Sequence, residues 1–156
     1  MLSVLLLRLA IGWHFFYEAL VKLYNPGWSA KGYLASAEGV FAFFFKWLAG
    51  NEFLLSLVDF INMFGLLFVG LGLLLGLFYR GATIVGMALL GLYYLAHPPL
   101  FSGSSIPTEG SYFLINKTLI EAIAIFVLMK FPTNQVYGLD GLLFKNIKPE
   151  KVAQTA

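Results

Sequence analysis

The chain has 156 residues, of which 60% are apolar and 12% are charged, and its net charge is +2. A soluble globular domain carries roughly 25% charged residues, so this composition predicts one small all-α integral membrane protein. The small net charge, with no basic patch, argues against nucleic acid as a partner. Because the chain has no cysteine, it cannot hold an iron–sulfur cluster or supply a thiolate nucleophile.

Hydrophobicity predicts a four-helix membrane bundle over residues 1–131, with spans at about 2–24, 53–78, 81–96 and 111–131. Each approaches or exceeds the roughly 17–25 residues that cross the hydrocarbon core. Between the first two spans, segment 25–52 contains the aromatic run FAFFFKWL. This run is too short to span, so we expect an extra interfacial or re-entrant helix there. Residues 132–156 are expected to form an exposed cytoplasmic tail.

Lysine and arginine are more frequent on one predicted side of the membrane. With four spans, Arg80, Lys130 and the lysines of the tail share a side with both termini. The opposite side carries Lys22, Lys31 and Lys46. The positive-inside rule therefore predicts a multi-pass inner-membrane protein with both termini in the cytoplasm.

The first span carries four ionisable residues on one face. At roughly 100° per residue, Arg8, His14, Glu18 and Lys22 fall within about a third of the helix circumference. An intramembrane charge costs at least about 2.5–3.5 kcal/mol. We therefore expect this face to point into the bundle and to meet polar groups from other helices.

Two other spans supply polar groups at a matching depth, namely Asp59 and Asn62 in the second span and Lys117 and Glu121 in the fourth. At 1.5 Å per residue, they lie at about the level of Glu18 and Lys22, in the outer half of the bilayer. The charges nearly balance, as a desolvated cluster requires. Two interpretations stay open: a ligand or proton site that opens outward, or a structural polar core that keeps the helices in register.

If the cluster is functional, its residues divide into two groups. The candidates for proton transfer are Glu18, Glu121, Asp59 and His14. The candidates for binding a cofactor are Lys22, Lys117, Asn62, Asn116, Arg8, Trp13 and Tyr17. Arg8 lies deeper than the others, where it can bind a lipid phosphate or snorkel to the interface. The aromatic residues can wall a pocket for a flat lipophilic molecule such as a quinone. We find no motif for a metal site.

Three stretches of the sequence resemble the DoxX/DoxD family of small four-helix membrane proteins. They are RLAIGWHFFYEALVKL with Arg8, Gly12, Glu18 and Lys22, GLGLLLGLFYRGA with Gly70, Gly72, Gly76, Arg80 and Ala82, and NKTLIEAIAI with Asn116 and Glu121. The resemblance covers about residues 4–131 and implies a four-helix membrane bundle. It also implies a partner role in redox chemistry, because DoxD is the small subunit of a thiosulfate:quinone oxidoreductase.

Three functions follow from these observations. The first is a quinone-associated subunit of a membrane redox complex. The second is a non-catalytic scaffold or assembly subunit of an envelope complex. The third, a small-solute or proton transporter, is disfavoured because the chain has no inverted repeat with matching broken spans. The sequence has no nucleotide, flavin or metal motif. The first function therefore requires a protein partner that donates electrons. Membrane lipid is the other expected partner. Self-association of the chain into a homo-oligomer is a further open alternative.

Overall fold

The computed structural model describes residues 1–99 and 111–143, which are mainly helical, as predicted. The helices are α1 (Leu2–Leu23), α2 (Lys31–Ala35), α3 (Ala42–Gly50), α4 (Glu52–Leu75), α5 (Tyr79–Ala96), α6 (Lys117–Lys130), α7 (Asn134–Tyr137) and α8 (Leu139–Leu143). One antiparallel pair of two-residue strands, β1 (Ser111–Tyr112) and β2 (Ile115–Asn116), precedes α6. The tail lysines at 145, 148 and 151 lie outside the described residues.

Two of the helices, α1 and α4, are long and apolar enough to cross a membrane. They extend about 33 and 36 Å at 1.5 Å per residue. The other two long helices are shorter, with 18 residues in α5 and 14 in α6. Helix α6 begins at Lys117 rather than near residue 111, because Asn116 Oδ1 accepts a hydrogen bond from Leu119 N at 2.9 Å and caps the helix there.

The four long helices pack in a closed ring, in which α1 and α5 each contact both α4 and α6. Their shared core consists of aliphatic and aromatic side chains, among them Phe15, Leu66, Val69, Leu73, Ile125 and Leu128. The closest approach joins α1 to α4 at Gly70. A Cβ atom at Gly70 would lie 2.5 Å from the backbone nitrogen of Phe16. Only glycine therefore allows these two backbones to pack at this distance.

Segment 25–52 folds into two short helices, α2 and α3, where the sequence suggested one. They form a second small core with Leu34, Phe45 and Ala96 among its members. Several hydrogen bonds attach the segment to the long helices; for example, Ala30 N donates to Asp59 Oδ1 at 2.7 Å, and Glu38 N donates to Ala96 O at 2.9 Å. The segment thus covers one end of the helical ring.

The first part of the predicted tail packs against the opposite end of the ring, which corrects the expectation of an exposed extension. Thr133 and Asn134 are buried. Asp140 accepts hydrogen bonds from Phe78 N at 2.9 Å and from Tyr79 N at 3.1 Å. The carboxylate therefore satisfies the free amides at the start of α5, where negative charge is favoured.

The close packing at Gly70 yields a prediction for stability. Gly70→Ala should lower the free energy of unfolding by about 1–3 kcal/mol, because the added methyl group overpacks the contact with α1. Gly91→Ala is the matched control, since a Cβ atom at Gly91 would meet nothing within 4 Å. It should stabilise α5 by about 0.5–1 kcal/mol. Thermal unfolding in detergent measures both, and equal melting temperatures for the two variants would contradict the packing described.

Candidate functional site

A cavity of about 340 Å³ lies at the end of the helical ring that segment 25–52 covers. Its wall contains six of the residues that the sequence singled out: His14, Glu18, Lys22, Asn62, Lys117 and Glu121. These come from three helices, α1, α4 and α6, at the common level that helical rise predicts. The apolar part of the wall includes Phe15, Trp28, Leu66 and Leu90. The cavity therefore combines charged groups with aromatic and aliphatic surface.

Two close side-chain pairs hold the ionisable groups of the cavity. His14 Nδ1 lies 2.6 Å from Glu121 Oε1 and joins α1 to α6, while Lys22 Nζ donates to Glu18 Oε2 at 2.7 Å within α1. Each pair has one partly buried member and one more exposed member: the side chains of Glu121 and Lys22 are 15% exposed, and those of His14 and Glu18 are 52% and 47% exposed. Each pair thus connects the interior of the cavity to the surface of the molecule.

The two lysines of the cavity differ in their contacts. The ammonium group of Lys22 is held between the Glu18 carboxylate and the ring of Trp28, whose centroid lies 5.4 Å away, within the range of a cation–π contact. Lys117 forms no ion pair with any residue in 1–99 or 111–143. Lys117 is therefore the cation whose hydrogen-bonding capacity stays available to a ligand.

Asn62 joins a network of tyrosines at the cavity wall. Its Nδ2 donates to Tyr93 Oη at 2.7 Å, and Tyr33 Oη donates to the backbone oxygen of Tyr93 at 3.1 Å. Burial, reinforced by Tyr93, raises the pKa of Tyr33 to about 12, so this hydroxyl remains a neutral donor at physiological pH. Asn62 Oδ1 is buried and has no hydrogen-bond partner among the described residues.

Five predicted site residues lie away from the cavity wall. Asp59 accepts a hydrogen bond from the backbone nitrogen of Ala30, and Asn116 caps the N-terminus of α6, so both have structural roles. Trp13 and Tyr17 lie on the outer surface of α1, where they are 58% and 55% exposed. The fifth, Arg8, is ten residues before Glu18, or about 15 Å along the helix.

Arg8 anchors the tail. Only 2% of the residue is exposed, and its guanidinium group donates to Thr133 Oγ1 at 3.0 Å and to Tyr137 O at 2.6 Å. Both acceptors are neutral, and no carboxylate in the described part of the chain pairs with Arg8. A buried charge without such contacts would be strongly disfavoured, so Arg8 and the tail depend on each other.

The predicted site did not include several residues of the cavity wall, among them Trp28, Tyr33 and Tyr93. Trp28 and Tyr33 belong to segment 25–52, whose position over the cavity depends on long-range contacts that no periodicity reveals. Tyr93 had a weak signal, because a tyrosine near the end of a predicted span can lie level with Asn62. From the sequence alone, however, Tyr93 cannot be told apart from a tyrosine of the interfacial aromatic belt.

Comparisons of the chain with family models, curated proteins and solved structures found no match. Within residues 1–99 and 111–143, no group of His, Asp and Glu side chains is arranged to hold a metal ion. Any function assigned to the cavity therefore depends on the chemistry of its own side chains.

The role of Arg8 can be tested by hydrogen exchange. Arg8→Met should remove two charge-assisted hydrogen bonds, each worth about 1.5–3 kcal/mol. Amides in 133–143 should then exchange on the order of tenfold faster or more, because the tail separates more often from α1. Arg80→Met is the matched control, since Arg80 is exposed. Unchanged exchange in Arg8→Met would show that the tail is held by other contacts.

Proposed function

We propose that the protein is an integral membrane protein whose four long helices all lie in the bilayer as a DoxX-like four-helix bundle. The outer face of α4 supports this proposal. Seven large apolar side chains of this helix are 38–56% exposed: Leu57, Phe60, Ile61, Phe64, Phe68, Leu71 and Leu75. The opposite face of α4 is also apolar and fills the core. Beyond Asn62, α4 is apolar on all sides as far as Leu75, and a helical stretch of this kind with one side uncovered suits a lipid environment and not water.

The short helix α6 is compatible with a bilayer because apolar residues extend it at both ends. Its 14 residues cover only about 21 Å of a hydrocarbon core of roughly 30 Å. Before the helix, Phe113, Leu114 and Ile115 are exposed, and Phe131 is exposed directly after it. The uncovered apolar surface is thus longer than the helix. Near its ends, Asn116 Oδ1 accepts a hydrogen bond from Leu119 N, and Leu128 O accepts one from Tyr79 Oη at 2.7 Å.

The cavity is proposed to bind the ring of a quinone, which makes the protein a quinone-associated subunit of a membrane redox complex. The observation that carries this proposal is a cavity of about 340 Å³ whose wall combines aromatic side chains with two carboxylates, a histidine and Lys117, which has no ion-pair partner among the described residues. Ligand sites have volumes of about 300–1,000 Å³ and combine apolar walls with a few convergent polar groups. The size suits a single substituted ring, whose hydrocarbon chain would extend into lipid.

The side chains have distinct roles in this proposal. Reduction of a quinone to a quinol adds two electrons and two protons, and the electrons come from a redox cofactor of a partner protein. Lys117 donates a hydrogen bond to a quinone oxygen and stabilises the negative charge that develops there. The His14–Glu121 and Lys22–Glu18 pairs, each with one member near the surface, transfer the protons. Asp59 has no part in this chemistry, because it does not line the cavity and its Oδ1 accepts a hydrogen bond from Ala30 N at 2.7 Å.

A scaffold subunit is the second candidate function, and two observations favour it. Both carboxylates of the cavity already have a partner within the chain, and the His14–Glu121 contact aligns α1 with α6 without any ligand. In addition, Phe43, Phe44 and Trp47 of α3 are 84%, 48% and 53% exposed. Such an aromatic surface suits contact with another subunit or with the membrane interface.

Four crossing helices predict a specific topology. Because the chain has no cysteine, single cysteines can be placed by Asn25→Cys, Arg80→Cys and Phe113→Cys. In intact cells, an impermeant thiol reagent should label the first and third positions from outside and should reach Arg80→Cys only after the cells are opened. If Phe113→Cys is instead labelled from the cytoplasmic side together with Arg80→Cys, α5 and α6 do not both cross.

The quinone proposal is tested by native mass spectrometry of protein extracted gently from its own membranes. We expect a co-purifying quinone whose occupancy falls about tenfold or more in Glu121→Gln, because the carboxylate that contacts His14 Nδ1 at the cavity wall is lost. Glu52→Gln is the matched control, since Glu52 is exposed at the start of α4. A stoichiometric protein partner without a small molecule, unchanged in Glu121→Gln, would favour the scaffold function and reject the quinone.

A further inference from the structure

Helices α4 and α5 form the closed side of the cavity. The residues that they contribute to its wall are Asn62, Leu66, Leu90 and Tyr93. Leu66 and Leu90 are buried in the core shared by the long helices, and Asn62 and Tyr93 are half-buried. A ligand that approached between α4 and α5 would therefore have to displace core side chains, which are close-packed.

The side of the cavity between α1 and α6 is open. His14 and Glu18 of α1 line the cavity, and yet about half of each side chain is exposed. Lys117 of α6 also lines the cavity and is exposed. A residue that belongs both to the wall of a cavity and to the surface of the molecule marks the mouth of that cavity. The cavity therefore opens through the seam between α1 and α6.

The opening occupies one half of this seam. Of the four neighbouring pairs in the helical ring, α1 and α6 pack against each other least. In α6, residues 117–124 include none that is buried. The contact between His14 and Glu121, at 2.6 Å, is the only hydrogen bond or ion pair between the two helices in the described part of the chain. We call the open half, which runs from this contact to Lys22 and Lys117, the α1–α6 slot.

In the proposed bundle, the α1–α6 slot lies at the depth of the outer leaflet. His14 is nine residues before the end of α1 at Leu23, which corresponds to about 14 Å along the helix axis. Half of the hydrocarbon core measures about 15 Å. The slot therefore extends from near the middle of the bilayer to its outer surface.

The surface beside the α1–α6 slot is apolar. Val21 of α1 is 50% exposed and Ile120 of α6 is 56% exposed. Each follows a slot residue by three positions, Glu18 and Lys117 respectively, and so lies about 60° from it around the helix. A hydrocarbon chain that leaves the cavity through the slot would contact these side chains and then lipid.

We propose that the quinone enters the cavity from the bilayer through the α1–α6 slot and that its hydrocarbon tail stays in this slot when the ring is bound. This inference rests on the proposed function, since it names the substrate class of the same cavity, a membrane-dissolved quinone with a tail. The charged groups of the wall bind the ring, and the apolar surface beside the slot binds the tail. The His14–Glu121 contact sets the inner limit of the slot.

Photochemical labelling of the full chain in phosphatidylcholine nanodiscs tests the position of the tail. The probe is a dimethoxy-methyl-benzoquinone whose alkyl tail carries a diazirine close to the ring. We expect adducts in 17–22 of α1 and 117–121 of α6, and we expect an excess of the same quinone without diazirine to abolish them. Adducts that this excess abolishes on the outer faces of α4 or α5, and not beside the slot, would overturn the proposal. Slot adducts that survive the excess would also overturn it, because the slot would then contact the probe only as part of the surrounding lipid.

A bulky group beside the slot tests the route of entry. Because the chain has no cysteine, Ile120→Cys can be modified with N-cyclohexylmaleimide in detergent and then placed in nanodiscs. We expect the modified variant to bind the tailed quinone about tenfold more slowly than the unmodified variant. Quenching of tryptophan fluorescence measures this rate, since Trp28 lines the cavity.

Ile61→Cys, treated in the same way, is the matched control. Ile61 lies on the outer face of α4, does not line the cavity and is 52% exposed, close to the value for Ile120. Its modification should leave the binding rate unchanged. Equal rates for modified and unmodified Ile120→Cys would contradict entry through the slot.

Failure of the entry route and failure of the proposed function give different results. If native mass spectrometry shows the tailed quinone bound while the abolished adducts lie elsewhere, the route is wrong and the proposed function stands. If the tailed quinone does not bind the unmodified protein, the proposed function fails and the inference fails with it.

Discussion

The need to give the charged groups on one face of α1 partners is the constraint on which the rest of the structure depends. Charged groups in an apolar environment need a partner or must become neutral. The helix meets this demand with different chemistry at its two ends. His14 pairs with Glu121 of α6, and Glu18 pairs with Lys22 within α1. Arg8 instead uses the neutral oxygens of Thr133 and Tyr137. The contact of His14 brings in α6, and the contacts of Arg8 bring in the tail. One polar face of α1 therefore organises the packing at both ends of this helix.

The two ends differ in what remains available after folding. Around Arg8 the tail fills the space, and Asp140 satisfies the first amides of α5. At the other end, α2 and α3 cover the ring of helices but leave a cavity of about 340 Å³. A polar cluster that served packing alone would gain from filling this space, since interiors are close-packed. The open volume beside Lys117 and Asn62 is thus the feature that favours binding over a purely structural role.

The four hydrophobic segments and the charged face of α1 were readable because they depend on short-range periodicity. Helical rise alone placed Glu18, Lys22, Asn62, Lys117 and Glu121 at one level, and all five contribute to the cavity wall. The same arithmetic grouped Asp59 with them, although its carboxylate binds Ala30 N. Depth along a helix can be calculated from residue number. The direction in which a side chain points within a bundle depends on neighbours that periodicity does not specify.

The sequence by itself determined which segments are apolar helices, that α1 carries a charged face, and that other helices supply compensating groups at the same depth. These properties follow from local chemistry and from the fixed geometry of a helix. Three features were decided only by the tertiary structure. Arg8 binds the tail, Asn116 is the N-cap of α6 and not part of the cavity wall, and Tyr33 of segment 25–52 lines the cavity. Each of these contacts joins distant parts of the chain or replaces one local structure by another. They are therefore selected by the free energy of the whole packing arrangement, which no local pattern records.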